Sequence, residues 1–559
     1  MHVLRNRRHT IHSRKSKKRG GEQVADNYEQ YSREELLRLL RERDRKPKFG
    51  LVWERNEIEH DKSLNDDFVA LDLDPGLSCG DAPFENLIIE GDNFDALRYL
   101  RMTHAGRVNC IYIDPPYNTG NRDFIYNDRF VDKDDAYRHS KWLEFMYRRL
   151  VLAKDLLADD GVIFVSIGEE EACHLKLLMD QTIGSQKFIG QLVWKSRQNK
   201  DNRTKNGVSI DHEYVFAYGN TVRGVRRNEE QFSNPDNDPR GYWTSGNMVG
   251  LADEEARPNL HYELIDPATG NNYGKPRQGW RFDRNRMAQM IAEGRILWPI
   301  KSTGRPRQKV FLKEMKSEFT GYSSMIGEGI FTYHGTRELD DVFDARPFDF
   351  PKPSTFIKEL IEQATQPNDL VLDFFAGSGT TAHAVMKLNA EDGGKRRFIL
   401  VSSTEATNEE PDKNLCRDVC AERVRRVSQG YTNKKGEAVE GLGGSFAYLR
   451  TKRIPVSRVF NDIQHEQVWR ALQLVHGVPL SGYAKGAPVQ LAGNTDDRLA
   501  YVPKLCEAVL EEVARVAGLG GRLVVYSWQP GQIRQRVEAL NVAFERIPEF
   551  LVSRFGGGK

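Results

Sequence analysis

Asp114-Pro115-Pro116-Tyr117 places an acid, two prolines and an aromatic ring at the end of the apolar run Val108–Ile113. This set suits one demanding task, alkylation of an exocyclic amino nitrogen on a nucleobase. Such a nitrogen is a poor nucleophile, because its lone pair is delocalised into the ring. A catalyst has to hold the amino hydrogens and turn the lone pair toward the alkyl donor. A carboxylate and a backbone carbonyl can accept those two hydrogens. Two prolines stiffen the turn and keep the first carbonyl out of any ladder. The Tyr117 ring offers an extracted base a stacking face worth about 1–3 kcal/mol. A plain turn after a strand is the competing reading of the same four residues.

A second motif lies far downstream. Asp369–Leu372 reads as a short buried strand that runs into Asp373-Phe374-Phe375-Ala376-Gly377-Ser378-Gly379-Thr380-Thr381, with a helix from Ala382 to Leu388. A strand, a Gly-rich turn and a helix let backbone approach a ligand closely. A P-loop would need a Lys after its second Gly, and a dinucleotide fingerprint a third Gly; both are missing. Glu405, after the apolar run Phe398–Val401, is placed to hold ribose hydroxyls.

Together these motifs resemble the amino-group DNA methyltransferases that use S-adenosylmethionine. The catalytic motif precedes the cofactor loop, the order of the permuted β class. The modification (Mod) subunits of type III restriction–modification systems are the nearest likeness. It is carried by Gly50–Glu54, Ile89–Asn93, Asp114–Gly120, Phe124–Asp128, Trp142–Met146, Gly161–Ile167, His212–Tyr214 and Gly279–Phe282. It runs from about residue 45 to about 455. It implies catalysis by Asp114, Pro115, Pro116 and Tyr117. It implies a cofactor pocket from Asp114, Asp373, Phe375, Ala376, Gly377, Ser378, Gly379 and Thr380, with Glu405 on the ribose and Asp92 at the adenine amino group. Lys352 would close the pocket. The family places its ribose acid nearer the strand end than Glu405, and each acid also has a helix-capping reading. A strand-end Asp favours adenine N6 over cytosine N4. The resemblance further implies double-stranded DNA as substrate, a homodimer, and a separate restriction, helicase or defence-complex subunit. A recognition subunit that guides such a partner, with methylation secondary, is the alternative.

The elements that must position these residues alternate. Strands at Leu87–Ile89, Val108–Ile113 and Gly161–Ile167 are separated by helical segments at Asp95–Met102 and Lys141–Leu157, which argues for a parallel α/β sheet. We expect a Rossmann-like fold in parts: a basic tail over 1–22, a helical segment over 23–66 with a helix at Arg33–Lys46, and a catalytic half over 67–220. A target-recognition insertion over 221–345, a cofactor half over 346–430 and a small α/β docking appendage over 431–559 complete it. In open α/β sheets, ligands bind beyond the carboxyl ends of the strands. Asp92, Asp114, Gly377 and Glu405 each follow a strand, so one crevice can gather all four.

Residues 221–345 break the alternation. They are rich in Gly, Pro, Asn and Arg, with one clear helix near Arg284–Ala292. Arg281, Arg284, Arg286, Arg305, Arg307, Lys301 and Lys309 lie among Tyr242, Trp243, Trp280 and Trp298, types that suit guanine edges, phosphates and base stacking. A decorated loop domain is the bland alternative. Elsewhere the chain is unremarkable for a soluble protein: 39% hydrophobic, 29% charged, net charge +2. No apolar run reaches the ~18 residues of a membrane span. The six cysteines lack zinc spacing. We expect a cytoplasmic protein with no metal.

Overall fold

The computed structural model describes residues 32–38 and 51–556, except 56, 57, 62, 121, 122, 127, 128, 203, 205, 206, 302, 408, 409, 538 and 539. The basic run within 1–22, most of the expected 33–46 helix, and Gly50, Asn127 and Asp128 of the family motifs lie outside the described residues. The chain forms two units, 1–52 and 53–559. In the first, residues 33–38 are helical. Ser32 Oγ accepts from the Glu35 amide at 3.2 Å and Glu35 Oε2 accepts from the Ser32 amide at 2.9 Å, a reciprocal cap that starts a helix.

The second unit is built on a ten-stranded sheet. Its strands are β1 (Phe68–Cys79), β2 (Asn86–Glu90), β3 (Val108–Ile113), β4 (Leu157–Ile167), β5 (Phe188–Trp194), β6 (Glu213–Gly219), β7 (Met325–Ile326), β8 (Leu370–Asp373), β9 (Arg397–Ser402) and β10 (Phe446–Ile454). They lie in the order β1-β10-β2-β9-β8-β3-β4-β6-β5-β7. The six from β10 to β4 are parallel. β6 runs antiparallel between β4 and β5. Leu370-Val371-Leu372 and Phe398–Val401 are buried throughout, because helices cover both faces of a parallel sheet and leave no polar side. β3 and β8 pair through Cys110 with Val371 and Ile111 with Leu372. Residues more than 250 positions apart therefore end side by side, and the α/β expectation holds.

Four expected boundaries move. The described residues of 53–66 contain no helix; Trp53 is buried instead, its indole donating to Glu144 Oε2 at 3.0 Å. β7 and the helix Thr332–Phe343 belong to the main sheet and its cover, so the insertion ends before Met325 rather than at 345. β10 completes the sheet beside β2, so the appendage starts after Ile454 rather than at 431. Its expected helix over Gln532–Leu540, of which 538 and 539 lie outside the described residues, begins and ends earlier, at Pro530–Arg534, since Pro530 at the first turn starts it early.

The insertion has a paired neck. Val225–Arg226 runs antiparallel to Phe319–Thr320, and the Arg227 amide donates to the Glu318 carbonyl at 2.7 Å. Beyond it, Trp243–Gly246, Arg307–Phe311 and Ile296–Leu297 form a three-stranded sheet. Asp283 caps the expected helix Arg284–Ala292. Met248, Tyr262, Leu264, Trp280, Met287, Met290 and Ile296 make a separate core. The C-terminal segment has a four-stranded sheet and a core of its own.

Candidate active site

The carboxyl ends of β2, β3, β8 and β9 open onto a crevice of about 440 Å³, within the ~300–1,000 Å³ of small-molecule sites. It gathers Asp92, Asp114, Pro115, Pro116, Lys352, Asp373, Phe375, Ala376, Gly377, Ser378, Thr380 and Glu405. Tyr117 and Gly379 are not among its wall residues.

Asp114 stands just past β3. Its Oδ2 accepts from Lys352 Nζ at 2.6 Å, while its buried Oδ1 has no partner. The turn explains the vacancy at Oδ1. A strand-end Asp commonly accepts from the amide two residues on, but Pro115 and Pro116 have no N–H to give. The Pro116 carbonyl accepts from the buried Trp142 indole at 2.7 Å. Among the described residues no donor reaches the Pro115 carbonyl. Two acceptors without a donor among the described residues thus lie side by side in the turn that lines the crevice.

Lys352 ties the Asp114–Tyr117 turn together. Its ammonium also reaches the Tyr117 oxygen at 2.9 Å and Glu213 Oε2 at 3.3 Å. Tyr117 donates to Glu213 Oε2 at 2.6 Å. Burial works against the Lys352 ammonium, but Asp114 and Glu213 outweigh it and hold its pKa above the ordinary value. Burial raises the Asp114 carboxyl, opposed by Lys352. Burial and the two carboxylates push the Tyr117 phenol well up, so it stays a donor. The Tyr117 ring lies where a Gly168 Cβ would meet Cδ2 at 2.8 Å. The Tyr117 hydroxyl is thus engaged, and the bonds at its oxygen hold the ring beside the Asp114 turn.

Asn118 follows at φ +58 with its side chain buried. Its Nδ2 donates to Glu171 Oε1 at 2.5 Å. His139 and His174 bond the same carboxylate through Nδ1 at 2.6 and 2.7 Å. These three side chains have metal-ligand types, and their ligand atoms lie within 4.8 Å of one another. Direct N–H···O bonds account for that spacing, and the cluster braces the turn.

The second motif also forms as expected, with a difference at its acid. Asp373 ends β8 with both oxygens occupied, Oδ1 by the Phe375 amide at 2.9 Å and Oδ2 by the Thr381 hydroxyl. It braces the loop from within and lines the crevice. Burial pushes its pKa up to about 7. Gly377 and Gly379 take φ +49 and +76, which only glycine adopts freely. A Cβ on Gly379 would sit 3.0 Å from the Cys420 carbonyl. Behind the loop, the fully buried Arg423 donates to Ser378 Oγ at 3.1 Å, Thr380 Oγ1 at 2.6 Å and Glu338 Oε2 at 2.9 Å. Burial opposes the Glu338 charge, but His383, Arg423 and Lys387 hold its pKa well below the carboxylate range.

Asp92 borders the crevice, yet it caps the helix Asn93–His104 through the Phe94 amide at 2.8 Å and pairs with Arg149 at 3.4 Å. The capping reading therefore holds for it. Glu405 takes φ +52 and pairs with Lys413 at 3.2 Å. Sequence reasoning missed Glu213, Trp142, Arg423 and Glu171 as parts of the site. Glu213 carried a signal, a lone acid opening the aromatic strand Tyr214–Tyr218.

The insertion divides the expected DNA contacts. Trp280 is only 1% exposed, sits in the core, and donates to the Tyr262 carbonyl at 2.8 Å; it is corrected to a core residue. Lys309 is buried between Asp236 and Asp238 and is likewise withdrawn. Trp243 is half-buried, its indole on Asp236 at 2.9 Å. Tyr242, Arg281, Arg284, Arg305 and Arg307 are exposed. Arg284 lies over the Tyr262 ring at 4.9 Å, and Arg307 donates to Ser245 Oγ at 2.6 Å.

A family profile described as DNA methylase matches residues 108–407. The Mod subunit of the type III restriction-modification enzyme StyLTI of Salmonella typhimurium is 33% identical over 379 residues, 61% of this chain and 57% of that protein. The EcoP15I Mod subunit of Escherichia coli is 30% identical over 418 residues, 62% of this chain and 63% of that protein. The chain therefore spans less than two thirds of either Mod subunit. The type II methyltransferase M.KpnI of Klebsiella pneumoniae is 32% identical over 381 residues, 63% of this chain and 89% of that protein. The profile covers more than half the chain, M.KpnI is matched over most of its length, and the two motifs share one crevice: this chain belongs to the DNA methylase family.

Proposed function

We propose that the protein transfers a methyl group from S-adenosylmethionine to adenine N6 in double-stranded DNA, as the modification component of a type III restriction–modification or related defence system. The observation that carries this reading is Asp114, with one carboxylate oxygen buried and unpartnered, on the wall of the crevice shared with the Gly377 loop. A buried acceptor without a donor costs about 1–3 kcal/mol, and an amino group from the ligand would offset that cost. The residues fit the cofactor: a tight glycine turn for close backbone approach, and room for a small molecule. When bound, S-adenosylmethionine supplies a methyl made electrophilic by its sulfonium, so no metal is needed to activate it.

The chain's own groups do the rest. Asp114 Oδ1 and the Pro115 carbonyl accept the two amino hydrogens and aim the nitrogen lone pair. Lys352 fixes Asp114 through Oδ2 and keeps its charge local. Asp114 is also an acceptor for the proton the amine must lose. Flipping the base into the crevice costs a few kcal/mol, which these bonds and stacking offset. The exposed arginines of the insertion, with Tyr242, read the target, and Glu405 holds the ribose. The Mod subunit names of the relatives support a second polypeptide for cleavage, and a cytoplasmic homodimer completes the proposal; among the described residues no helix is long and apolar enough to cross a membrane.

The test is methyl labelling of unmodified bacterial DNA by the purified protein, read by sequencing of methylated positions. N6-methyladenine at one recurring sequence is expected. Label on cytosine N4 would move the assignment to the other amino base, and no label with cofactor bound would overturn the reading. The paired neck makes the insertion exchangeable: replacing residues 227–318 with those of a relative should move the methylated sequence. A folded, active chimera that keeps the original sequence would place recognition elsewhere.

A further inference from the structure

We infer that Glu213 is a positioning residue: by taking the Tyr117 hydroxyl proton it keeps that proton off Asp114 and leaves the acid open to the amino group, an inference that rests on the transfer reading above. Glu213 is the first residue of β6, in register opposite Trp194 of β5. Its side chain is only 17% exposed, and its Oε2 accepts from the Tyr117 hydroxyl at 2.6 Å. Glu213 does not line the crevice, so it acts through Tyr117 and Lys352.

The need for it follows from the donors around Asp114. Asp114 and Tyr117 sit in one tight turn, and Lys352 Nζ bridges them, 2.6 Å from Asp114 Oδ2 and 2.9 Å from the Tyr117 oxygen. Burial and both carboxylates push the Tyr117 phenol well up, so it always has a proton to place. A hydrogen bond to a carboxylate is among the stronger ones, and two carboxylates, Asp114 and Glu213, act on this phenol. The 2.6 Å bond puts the proton on Glu213. Glu213 also completes the Lys352 ammonium, whose three N–H groups have three acceptors: Asp114 Oδ2, the Tyr117 oxygen and, at 3.3 Å, Glu213 Oε2. Without Glu213, the hydroxyl turns to the remaining carboxylate, Asp114, and takes up part of its accepting capacity. The Tyr117 ring keeps its stacking face throughout, because only the hydroxyl changes partner.

The test is a double-mutant cycle. Glu213→Leu keeps the volume and removes the acceptor; Tyr117→Phe keeps the ring and removes the proton. Single-turnover methylation should fall about tenfold in Glu213→Leu, the scale of one hydrogen bond at a charged group. In the Tyr117→Phe background the same change should lower it at most about threefold, because no proton is left to misplace. Glu213→Gln, which still accepts, should lose less than Glu213→Leu. Calorimetry should show unchanged S-adenosylmethionine affinity, since the glycine loop is untouched.

The acid limb of the rate profile is a second readout. Lys352, Glu213, Tyr117, Tyr112 and Asp373 are the ionisable groups that act on Asp114. Losing the Glu213 charge and gaining a Tyr117 hydrogen bond both lower the Asp114 pKa. The limb should therefore move to lower pH in Glu213→Leu, and by less in the double variant. A Glu213 that only supports the fold would cost the same in both backgrounds, so equal losses would overturn the inference, as would wild-type rates in Glu213→Leu. Should that variant not fold, Glu213→Ala takes its place in the cycle. No methylation by the wild type would overturn the function itself, and this inference with it.

Discussion

Asp114 directly follows β3 and Asp373 ends β8, its parallel neighbour. Both are acids at a buried strand end, and burial raises the pKa of both. They differ in what the next two residues can donate. After Asp373 comes Phe374-Phe375, and the Phe375 amide takes Oδ1. After Asp114 comes Pro115-Pro116, which has no amide to give, and Oδ1 stays open. The same residue type becomes an internal brace after one strand and an acid with an open oxygen after the other, the one to which the proposed function gives the amino group. Beyond stiffening the chain, the prolines withhold the donors that would quench the acid.

The largest expected effect tests the open acid. Asp114→Ala should lower kcat by about 10²- to 10³-fold, the scale for losing one aimed polar contact to the reacting group. Cofactor affinity should be nearly unchanged, because the glycine loop is intact. Wild-type turnover in this variant would end the assignment. In the wild type, protonating Asp114 removes an acceptor, so single-turnover rates should fall on acidification.

The closed acid should answer in stability instead. Asp373→Ala strands the Phe375 amide and the Thr381 hydroxyl, at about 1–3 kcal/mol. Its pH dependence has a definite sign. The folded carboxyl titrates at about 7 against 3.8 for the ordinary value, so between those limits the folded state holds a proton that the unfolded chain lacks. Stability is then greatest below about 3.8 and declines as pH rises toward 7, by at most about 1.4 kcal/mol per pH unit. Asp373→Asn should remove that slope. Denaturant titrations of both proteins across this window measure the difference; a difference that does not change with pH would show that Asp373 is not held protonated.

The contrast also marks how far sequence alone reaches. The Asp114 turn and the Phe375–Gly379 loop were legible because their chemistry is local: prolines, glycines and an acid within a few residues. Their meeting in one crevice followed from the rule that strand ends share an edge. The bond from Lys352 to Asp114, which joins residues 238 positions apart, was not legible, nor were Glu213 and Arg423. The insertion misled for the opposite reason. Trp280 and Lys309 have the composition of a DNA surface, yet a small domain with its own core needs a large ring inside and a satisfied charge beneath its sheet. Composition cannot say which face a residue takes.

The smallest effect is the most direct test of the comparison. Pro116→Ala returns an N–H at the position from which Phe375 caps Asp373. If that amide turns onto Asp114 Oδ1, the open acid becomes a closed one. The amino group must then displace a hydrogen bond worth about 1.4 kcal/mol, and kcat/KM for DNA should fall about tenfold. A hydrogen bond to the charged form also lowers its pKa, so the acid limb of the rate profile should move to lower pH. Pro115→Ala is the control. It loosens the turn as much but adds its amide one residue too early to cap the carboxylate. A tenfold loss with a shifted acid limb in Pro116→Ala, and little of either in Pro115→Ala, would assign the prolines' value to the missing donor. Equal losses without a shift would assign it to stiffness, and the difference between the two acids would then need another cause.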